Sequence, residues 1–544
     1  MEKLVLAAGR KEIAALGEDI RFVVEPYIPH GTGSGPQGQG AQGQAQGQGQ
    51  ALSTQQLAHL SDPTYSSVLH GVQDSLARAP YHALTCPHGD LLSFWSKTTE
   101  ADRLYVTPYL AQPSPASGSY GSFSSSASLH AHTSTDTSTP NIPAPTKYVT
   151  FEPDPGGWNN IRMQMELVVV FAYATGRTLV LPPDQPMYLL NKGKGHQKVH
   201  SFADFFPFEL IQKRVSVISM EQYLALEGVT GHLFNTTTGL PALPPGNKTA
   251  FDATIKEQKL SMWGYLRDVS ECPLWKAMKV FVVIPPAPGV NVTLLPADVA
   301  GVYRRRLEEF GAGREARYYD QAMHDKRSIH FISLPGKGYR ILEHFYTFLH
   351  FQDPAMDRYY KRFVRDYVHY IDVIFCKSAL IINALRTEGG TYSAFHIRRG
   401  EFQYKEVKIP ASNMLQNVGH FVPQKLLFIA TDEKNKSFFD PFKKDHTVRF
   451  LDDYMDLAQL RHINPNFLGM IDQVVCTRGD IFVGTWFSTF SGYITRMRGY
   501  MGYQDSSVFY GDKKHRDRFQ KPELPMFPFY MREWNVSWDK IDIV

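Results

Sequence analysis

The pattern best suited to chemistry in this chain is an arginine at the end of a buried strand. In His396-Ile-Arg398-Arg399-Gly400-Glu401, residues 396 and 398 alternate along a strand and share a face, while Arg399 points the other way or opens the loop. A guanidinium fork grips a diphosphate bidentately, and the carboxyl end of a parallel strand is where ligands bind. Arg399 has an equally good structural reading, as a surface bridge to Glu401 or another acid. Arg398, on the face of His396, has few structural uses. A second pattern is Phe482-Val-Gly-Thr-Trp-Phe-Ser-Thr-Phe-Ser491. An apolar strand ends at Gly484 and Thr485, and Ser488, Thr489 and Ser491 stand where a helix should begin. Hydroxyls and free N–H groups at a helix N-terminus make an anion site, although the same residues also serve as plain caps. Phe490 would pack or stack beside them. A third pattern is Gly156-Gly157-Trp158-Asn159-Asn160-Ile161-Arg162. The glycines let backbone approach a ligand, and each asparagine supplies a donor and an acceptor. Taken alone, the glycines are better accounted for by an ordinary tight turn between strand and helix.

These loops need strands and helices to aim them. Residues 148–152 alternate and read as a strand, broken by Pro153 and Pro155. A long apolar helix is expected over 161–175, closed by Gly176, and a second strand over 178–182. This is a βαβ unit with its glycine-rich turn at the ligand edge. Residues 185–300 read as an irregular insertion, and 338–351 and 356–386 as helical. The alternation then resumes: strands over 392–397, 426–430 (ending in Thr431-Asp432-Glu433) and 448–451, a helix over 464–476 and a strand over 480–484. Two parallel α/β units are implied.

The rest of the chain bounds the answer. Its 544 residues exceed one core, so two folded domains are expected. Residues 1–146 are read as largely disordered, 147–387 as the first domain and 388–544 as the second. Residues 31–50 are nearly all Gly, Gln and Ala, and 113–146 are rich in Ser, Thr, Ala and Pro; neither stretch buries enough surface to offset backbone entropy. Between them, 91–105 has helical spacing and could pack on the folded body. With 57 basic against 53 acidic residues, nothing argues for a nucleic-acid partner, and no membrane contact by the folded domains is expected. Cys86, Cys272, Cys376 and Cys476 lack metal-ligand spacing and leave room for one or two disulfides. Asp452-Asp453 is adjacent rather than spaced, so no metal site is expected. Sequons at Asn235, Asn247, Asn291, Asn435 and Asn535 favour a secretory lumen, endoplasmic reticulum or Golgi. Residues 1–24 contain no signal-length apolar run, so either the protein is cytosolic or the recorded start lies downstream of the true one; the second reading is favoured.

Together, Gly156-Gly-Trp-Asn-Asn160, His396-Ile-Arg-Arg-Gly-Glu401 and Phe482-Val-Gly-Thr-Trp-Phe-Ser-Thr-Phe490 resemble the three motifs of the GDP-fucose protein O-fucosyltransferase family, in order and spacing. The resemblance covers about 148–502, or begins at Phe94-Trp95 with the Ser-rich stretch as an insertion. It implies a GT-B fold, two Rossmann-like domains with a cleft between them. It also implies GDP-fucose as donor, a protein Ser/Thr or a glycan as acceptor, inversion at the fucose carbon, and no metal or other cofactor. By position, Arg398 matches the arginine that grips the diphosphate, and His396 a residue that holds the nucleoside. Ser488, Thr489 and Phe490 match the phosphate and base contacts. Asp432 matches a Thr-Asp turn common in the family, and Asn159 or Asn160 the motif asparagine, depending on a one-residue register choice. Gly156, Gly157 and Arg399 fall within the same motifs. Some members carry a glutamate immediately before the Gly-Phe-Asn of the first motif. Gly156 stands there in this chain, and Asp154 or Glu152 could substitute as catalytic base, Asp154 being favoured. The implied activity is fucosyl transfer. A non-catalytic nucleotide-sugar or glycan-binding protein is the alternative, and an enzyme using another nucleotide sugar a third reading.

Overall fold

The computed structural model describes residues 102, 104–109 and 146–542, apart from 189, 191–198, 244, 258–260, 277–278, 289–296, 504–506, 521–532, 534 and 539–540. The Gly/Gln tract, nearly all of 113–146, most of 91–105 and the Asn291 sequon lie outside the described residues.

The chain opens on strand β1 (Tyr148–Phe151), helix α1 (Trp158–Ala174) and strand β2 (Thr178–Leu181). These are the expected βαβ unit, with the helix starting three residues early. All but one of the α1 residues are buried, so the helix runs through the core rather than along the surface. It stops in a Schellman turn: Gly176 takes φ 64° and the Arg177 amide donates to the Ala172 carbonyl. With β3 (Val217–Ser219) and β6 (Ser328–Phe331), β1 and β2 form a four-stranded parallel sheet in the order β3-β2-β1-β6. A second parallel sheet, β5-β4-β7, joins β4 (Val280–Ile284), β5 (Glu315–Tyr318) and β7 (Leu349–Phe351).

Three expectations fail in this half. The region 185–300 is not irregular: it holds β3, two helices (Lys248–Glu257 and Met262–Val269) and the buried strand β4. The run Val-Phe-Val-Val-Ile of β4 has no alternation, because both of its faces are covered. The helix expected over 338–351 is one short turn, Phe345–Phe348, leading straight into β7. The expected helix over 356–386 is two, α2 (Pro354–Tyr367) and α3 (Asp372–Gly389), meeting at 77°. No Gly or Pro marks that break. It is made by tertiary contacts, with the Ile371 amide donating to the Phe205 carbonyl and the Tyr370 hydroxyl to Gln473.

The second half is a five-stranded parallel sheet in the order β10-β9-β8-β11-β12. Its strands are β8 (Ser393–Ile397), β9 (Leu426–Thr431), β10 (Thr447–Arg449), β11 (Phe482–Gly484) and β12 (Ser507–Phe509). Helix α4 (Leu468–Thr477) precedes β11, and α5 (Thr489–Tyr500) follows it. The architecture is α/β, with parallel sheets in both halves.

Four charges sealed from solvent join the halves. Arg162 and Glu166 of α1 pair with each other, Arg496 of α5 pairs with Glu166 and Glu533, and Arg162 Nη2 lies 3.7 Å from Glu533; all four side chains are fully buried. The Arg162 guanidinium lies 3.6 Å from the Tyr493 ring centroid, and Tyr346 donates to Glu533 at 3.1 Å. Burial opposes charge on both arginines, but Glu166 and Glu533 hold their pKa values above the usual range. Residues before the first domain also dock on it. Asp102 forms a bidentate bridge to Arg362, and Tyr105 stacks on Tyr359 with ring centroids 3.7 Å apart. Removing one member of the buried cluster strands the others. Arg496→Met is therefore expected to lower unfolding stability by about 3–5 kcal/mol, read by urea denaturation. A loss under about 1 kcal/mol would mean that the four charges are not coupled.

Candidate functional site

The three motifs meet at the carboxyl ends of β1, β8 and β11. After β1 the chain turns through Pro153, Asp154 and Pro155, and Gly157 becomes the N-terminal cap of α1. Asp154 is buried and accepts from the Gly156 amide at 2.7 Å. It also forms a bidentate pair with Arg340, through Nε and, at 2.7 Å, Nη2. Glu152, the other candidate base, is held by Arg267 at 2.7 and 2.6 Å and by His330 at 3.0 Å. Burial would raise its pKa, but His330 and Arg267 keep it below the ordinary carboxylate range. As placed, each acid is engaged by an arginine. Gly156 has a steric reason: a Cβ there would lie 2.5 Å from Asn160 Nδ2, 2.6 Å from Asp154 Oδ1 and 2.8 Å from Arg340 Nη2. A side chain at this position would open the Asp154–Arg340 clamp.

Strand β8 delivers His396 and Arg398. The His396 ring is buried, stacked on Phe490 (centroids 4.3 Å apart, planes at 26°), with Nδ1 2.8 Å from Ser491 Oγ. That oxygen also accepts from the Thr485 amide at 2.9 Å, so Ser491 ties the imidazole to the turn that ends β11. Burial first, then Arg398, pushes the His396 pKa down to about 3, against a smaller opposing effect of Asp432. The Arg398 backbone amide is held by Thr485 Oγ1 at 3.1 Å. Its guanidinium stands 4.8 Å from the Phe402 ring centroid and donates from Nη2 to the Glu401 carbonyl at 2.8 Å. Its Nε is shut from solvent without a hydrogen bond, 3.8 Å from Asp432. Donor capacity therefore remains on Arg398.

Arg399 is used differently. Its side chain bonds Glu433 at 3.2 Å and the Ile409 carbonyl at 3.2 Å, and lies 4.0 Å from the Phe438 ring centroid. That is the structural role open to it from sequence, with Glu433 as the acid rather than Glu401. Asp432 clamps the loop by accepting from the amides of Arg399 at 2.6 Å and Gly400 at 3.0 Å.

The third motif begins with a strained turn. Phe487 adopts φ 65° and stacks on Tyr404, centroids 4.5 Å apart. An aromatic residue in the left-handed region costs about 1–2 kcal/mol, and the turn places Ser488 at the head of α5. The Ser488 hydroxyl makes no capping bond, so the amides of the first turn keep their capacity for an anion. Thr489 bonds Asn160 Oδ1 at 3.0 Å, and Asn159 Oδ1 accepts from Gln473 at 3.1 Å. Motifs about 330 positions apart in the chain are thus in direct contact.

Sequence reasoning missed two residues here. Asp472 on α4 is half-buried, with Oδ1 sealed and unbonded. Burial raises its pKa well above the carboxylate range, with Lys436 opposing and Asp452 adding to the rise. It lies one turn from Gly469, whose Cβ position is 3.7 Å from Phe490. The other is Gln473, buried beside it. The available signal was the pair Asp472-Gln473 inside an otherwise apolar helix, Leu468-Gly-Met-Ile-Asp-Gln-Val-Val-Cys476. Among the described residues, no group of three or more His, Cys, Asp or Glu side chains is placed to hold a metal.

The model of the family described as GDP-fucose protein O-fucosyltransferase matches residues 148–501, more than half of the chain. Over 130 residues, 22% of this chain, the sequence is 27% identical to GDP-fucose protein O-fucosyltransferase 2 of Drosophila melanogaster, and the match spans 26% of that protein. Among solved structures, POFUT1 in complex with GDP is similar at 14% identity, covering 68% of this chain and 99% of that one, with a TM-score of 0.32. The fucosyltransferase NodZ from Bradyrhizobium is similar at 12% identity over 65% of this chain and 94% of its own, with a TM-score of 0.33. With superpositions this loose, the family match is what places the chain.

His396 should remain neutral down to about pH 4, since its pKa lies at about 3 rather than the ordinary 6.5. The sign for stability follows: the unfolded chain takes up this proton below pH 6.5 and the folded chain does not. The contribution of His396 to stability is thus full above that pH and declines as pH falls towards 3. Imidazole ¹⁵N shifts should show a neutral His396 ring at pH 5; a protonated ring there would contradict the assignment.

Proposed function

Because this chain belongs to the GDP-fucose protein O-fucosyltransferase family, we propose that it transfers fucose from GDP-fucose to a protein Ser/Thr or a glycan, with inversion and without a metal. The observation that carries this reading is Arg398, a strand-end guanidinium with unused donors, set in the motif layout that includes the uncapped N-terminus of α5. Breaking the bond from fucose to GDP leaves negative charge on the β-phosphate. Arg398 and the first-turn amides of α5, with the Ser488 and Thr489 hydroxyls, meet that charge as it develops. Thr489 would exchange its bond to Asn160 for one to phosphate. Asp472 supplies guanine specificity: N1–H and the exocyclic amine of guanine are adjacent donors, and by bonding to both oxygens they would draw the buried carboxyl of Asp472 into its ionised form. Phe490, backed by His396, offers the base a face for stacking. Arg399 and Asp432 shape the loop around Arg398.

Asp154 is the acid closest to the first motif in sequence, and it serves as base if the incoming acceptor draws Arg340 away. The Asp154–Arg340 clamp and the glycine at 156 equally favour a second reading, a nucleotide-sugar or glycan-binding protein without turnover. Release of GDP from GDP-fucose by the wild-type protein separates the two. A lumenal location in the endoplasmic reticulum or Golgi fits the disulfide-bonded state of Cys376.

Arg398→Ala should lower turnover on the order of 10²-fold or more, the typical effect of losing one such donor, while weakening GDP binding much less. Arg398→Lys should not rescue it, because the fork is lost. Turnover within about threefold of wild type would remove Arg398 from this role. Asp472→Asn should weaken GDP on the order of 10-fold or more by calorimetry and narrow its advantage over UDP, since an amide presents one acceptor where the carboxylate presents two. Unchanged discrimination would place the base elsewhere.

A further inference from the structure

One buried chain of hydrogen bonds runs beneath the site, and its ends dictate its polarity. At one end the Trp158 indole N–H, which can only donate, lies 3.3 Å from the Tyr370 hydroxyl. The Tyr370 hydroxyl therefore sends its own hydrogen onward, to Gln473 Oε1 at 2.7 Å. At the other end, the Phe490 carbonyl can only accept, and Gln473 Nε2 lies 3.2 Å from it. The amide orientation of Gln473 is thus fixed from both sides, and its second Nε2 hydrogen goes to Asn159 Oδ1 at 3.1 Å. Gln473 and Tyr370 are fully buried, and the amide uses its carbonyl and both of its hydrogens.

The consequence falls on Asn159. With Oδ1 occupied, Nδ2 is the end that has no partner among the described residues, and it is not one of the side-chain atoms sealed from solvent without one. Asn159 therefore presents N–H donors, and the ligand atom it meets must be an acceptor. The same amide anchors the main chain at Phe490, one residue after Thr489. We infer that Gln473 is a positioning residue: it locks Asn159 as a donor towards an oxyanion and couples the first motif to the head of α5. It rests on the fucosyl-transfer reading for the identity of that oxyanion, a donor phosphate oxygen. The plain alternative, a buried glutamine satisfied within the core, predicts a loss of stability and no coupling to Asn159.

A double-mutant cycle tests this, using Gln473→Met, which keeps the volume and removes the amide, with Asn159→Ala. Gln473→Met should lower kcat on the order of 10-fold while KM for GDP-fucose changes less. The double variant should fall within about threefold of Asn159→Ala alone, because both changes remove one function. Tyr370→Phe is the second probe, for use should Gln473→Met fail to fold. It leaves both Nε2 donors in place but frees the amide to turn, and it should show a smaller drop with the same non-additivity. GDP affinity by calorimetry and melting temperature accompany each variant. Losses that multiply, turnover within about twofold of wild type for Gln473→Met, or an effect confined to melting temperature would overturn the inference. Wild-type protein that binds no GDP and releases none from GDP-fucose would instead sink the transfer reading itself.

Discussion

Two arginines and two glutamates, sealed together where α1 meets α5, are the constraint on which the rest depends. Isolated, any one of these charges would be too costly to bury; two cations paired with two anions offset one another, although Arg162 Nε keeps no hydrogen bond, and the pairing depends on the relative placement of the two helices. Hydrophobic contact alone would tolerate sliding of one half on the other. Paired guanidinium and carboxylate groups do not, because their geometry is directional. Arg162 lies one turn inside the helix headed by the first motif, and Arg496 two turns inside the helix headed by the third. Locking the helices therefore locks the loops at their heads.

That explains how a site can be assembled from loops with little structure of their own. Each loop is then trimmed by a local clamp: Arg340 on Asp154, Asp432 on the amides of Arg399 and Gly400, and Tyr404 against the left-handed Phe487. The clamps occupy the residues whose polarity could have suggested chemistry. What remains unclamped is more selective: the guanidinium of Arg398, the Ser488 hydroxyl with the first-turn amides of α5, the Asp472 carboxylate and the outer end of Asn159. On the proposed reading the donors would face the phosphates of GDP-fucose and the acid would face its base.

His396 shows how burial and bonding set a role together. Burial strips it of charge and Ser491 holds the ring in place, so it stands as a flat neutral wall behind Phe490 rather than as a further cation beside Arg398. A charged imidazole there would repel Arg398.

The sequence by itself determined the strands and helices that carry the motifs. β1, α1, β2, β8, β9 and β11 were legible because alternation and Gly or Pro punctuation are local signals, and Arg398, His396 and Ser488 followed from their places at element ends. β4 was not legible, since a continuous apolar run carries no period. Nor was the break between α2 and α3, where no residue forbids a helix and the bend is made by what Tyr370 and Ile371 touch. Tertiary structure alone decided partnership. That Asp154 belongs to Arg340, Arg399 to Glu433, and Asn159 to Gln473, while Arg398 and Asp472 keep unbonded atoms, depends on residues 34 to more than 300 positions apart. A side chain's type states what it can donate or accept; which neighbour takes that capacity is settled only when distant segments are packed side by side.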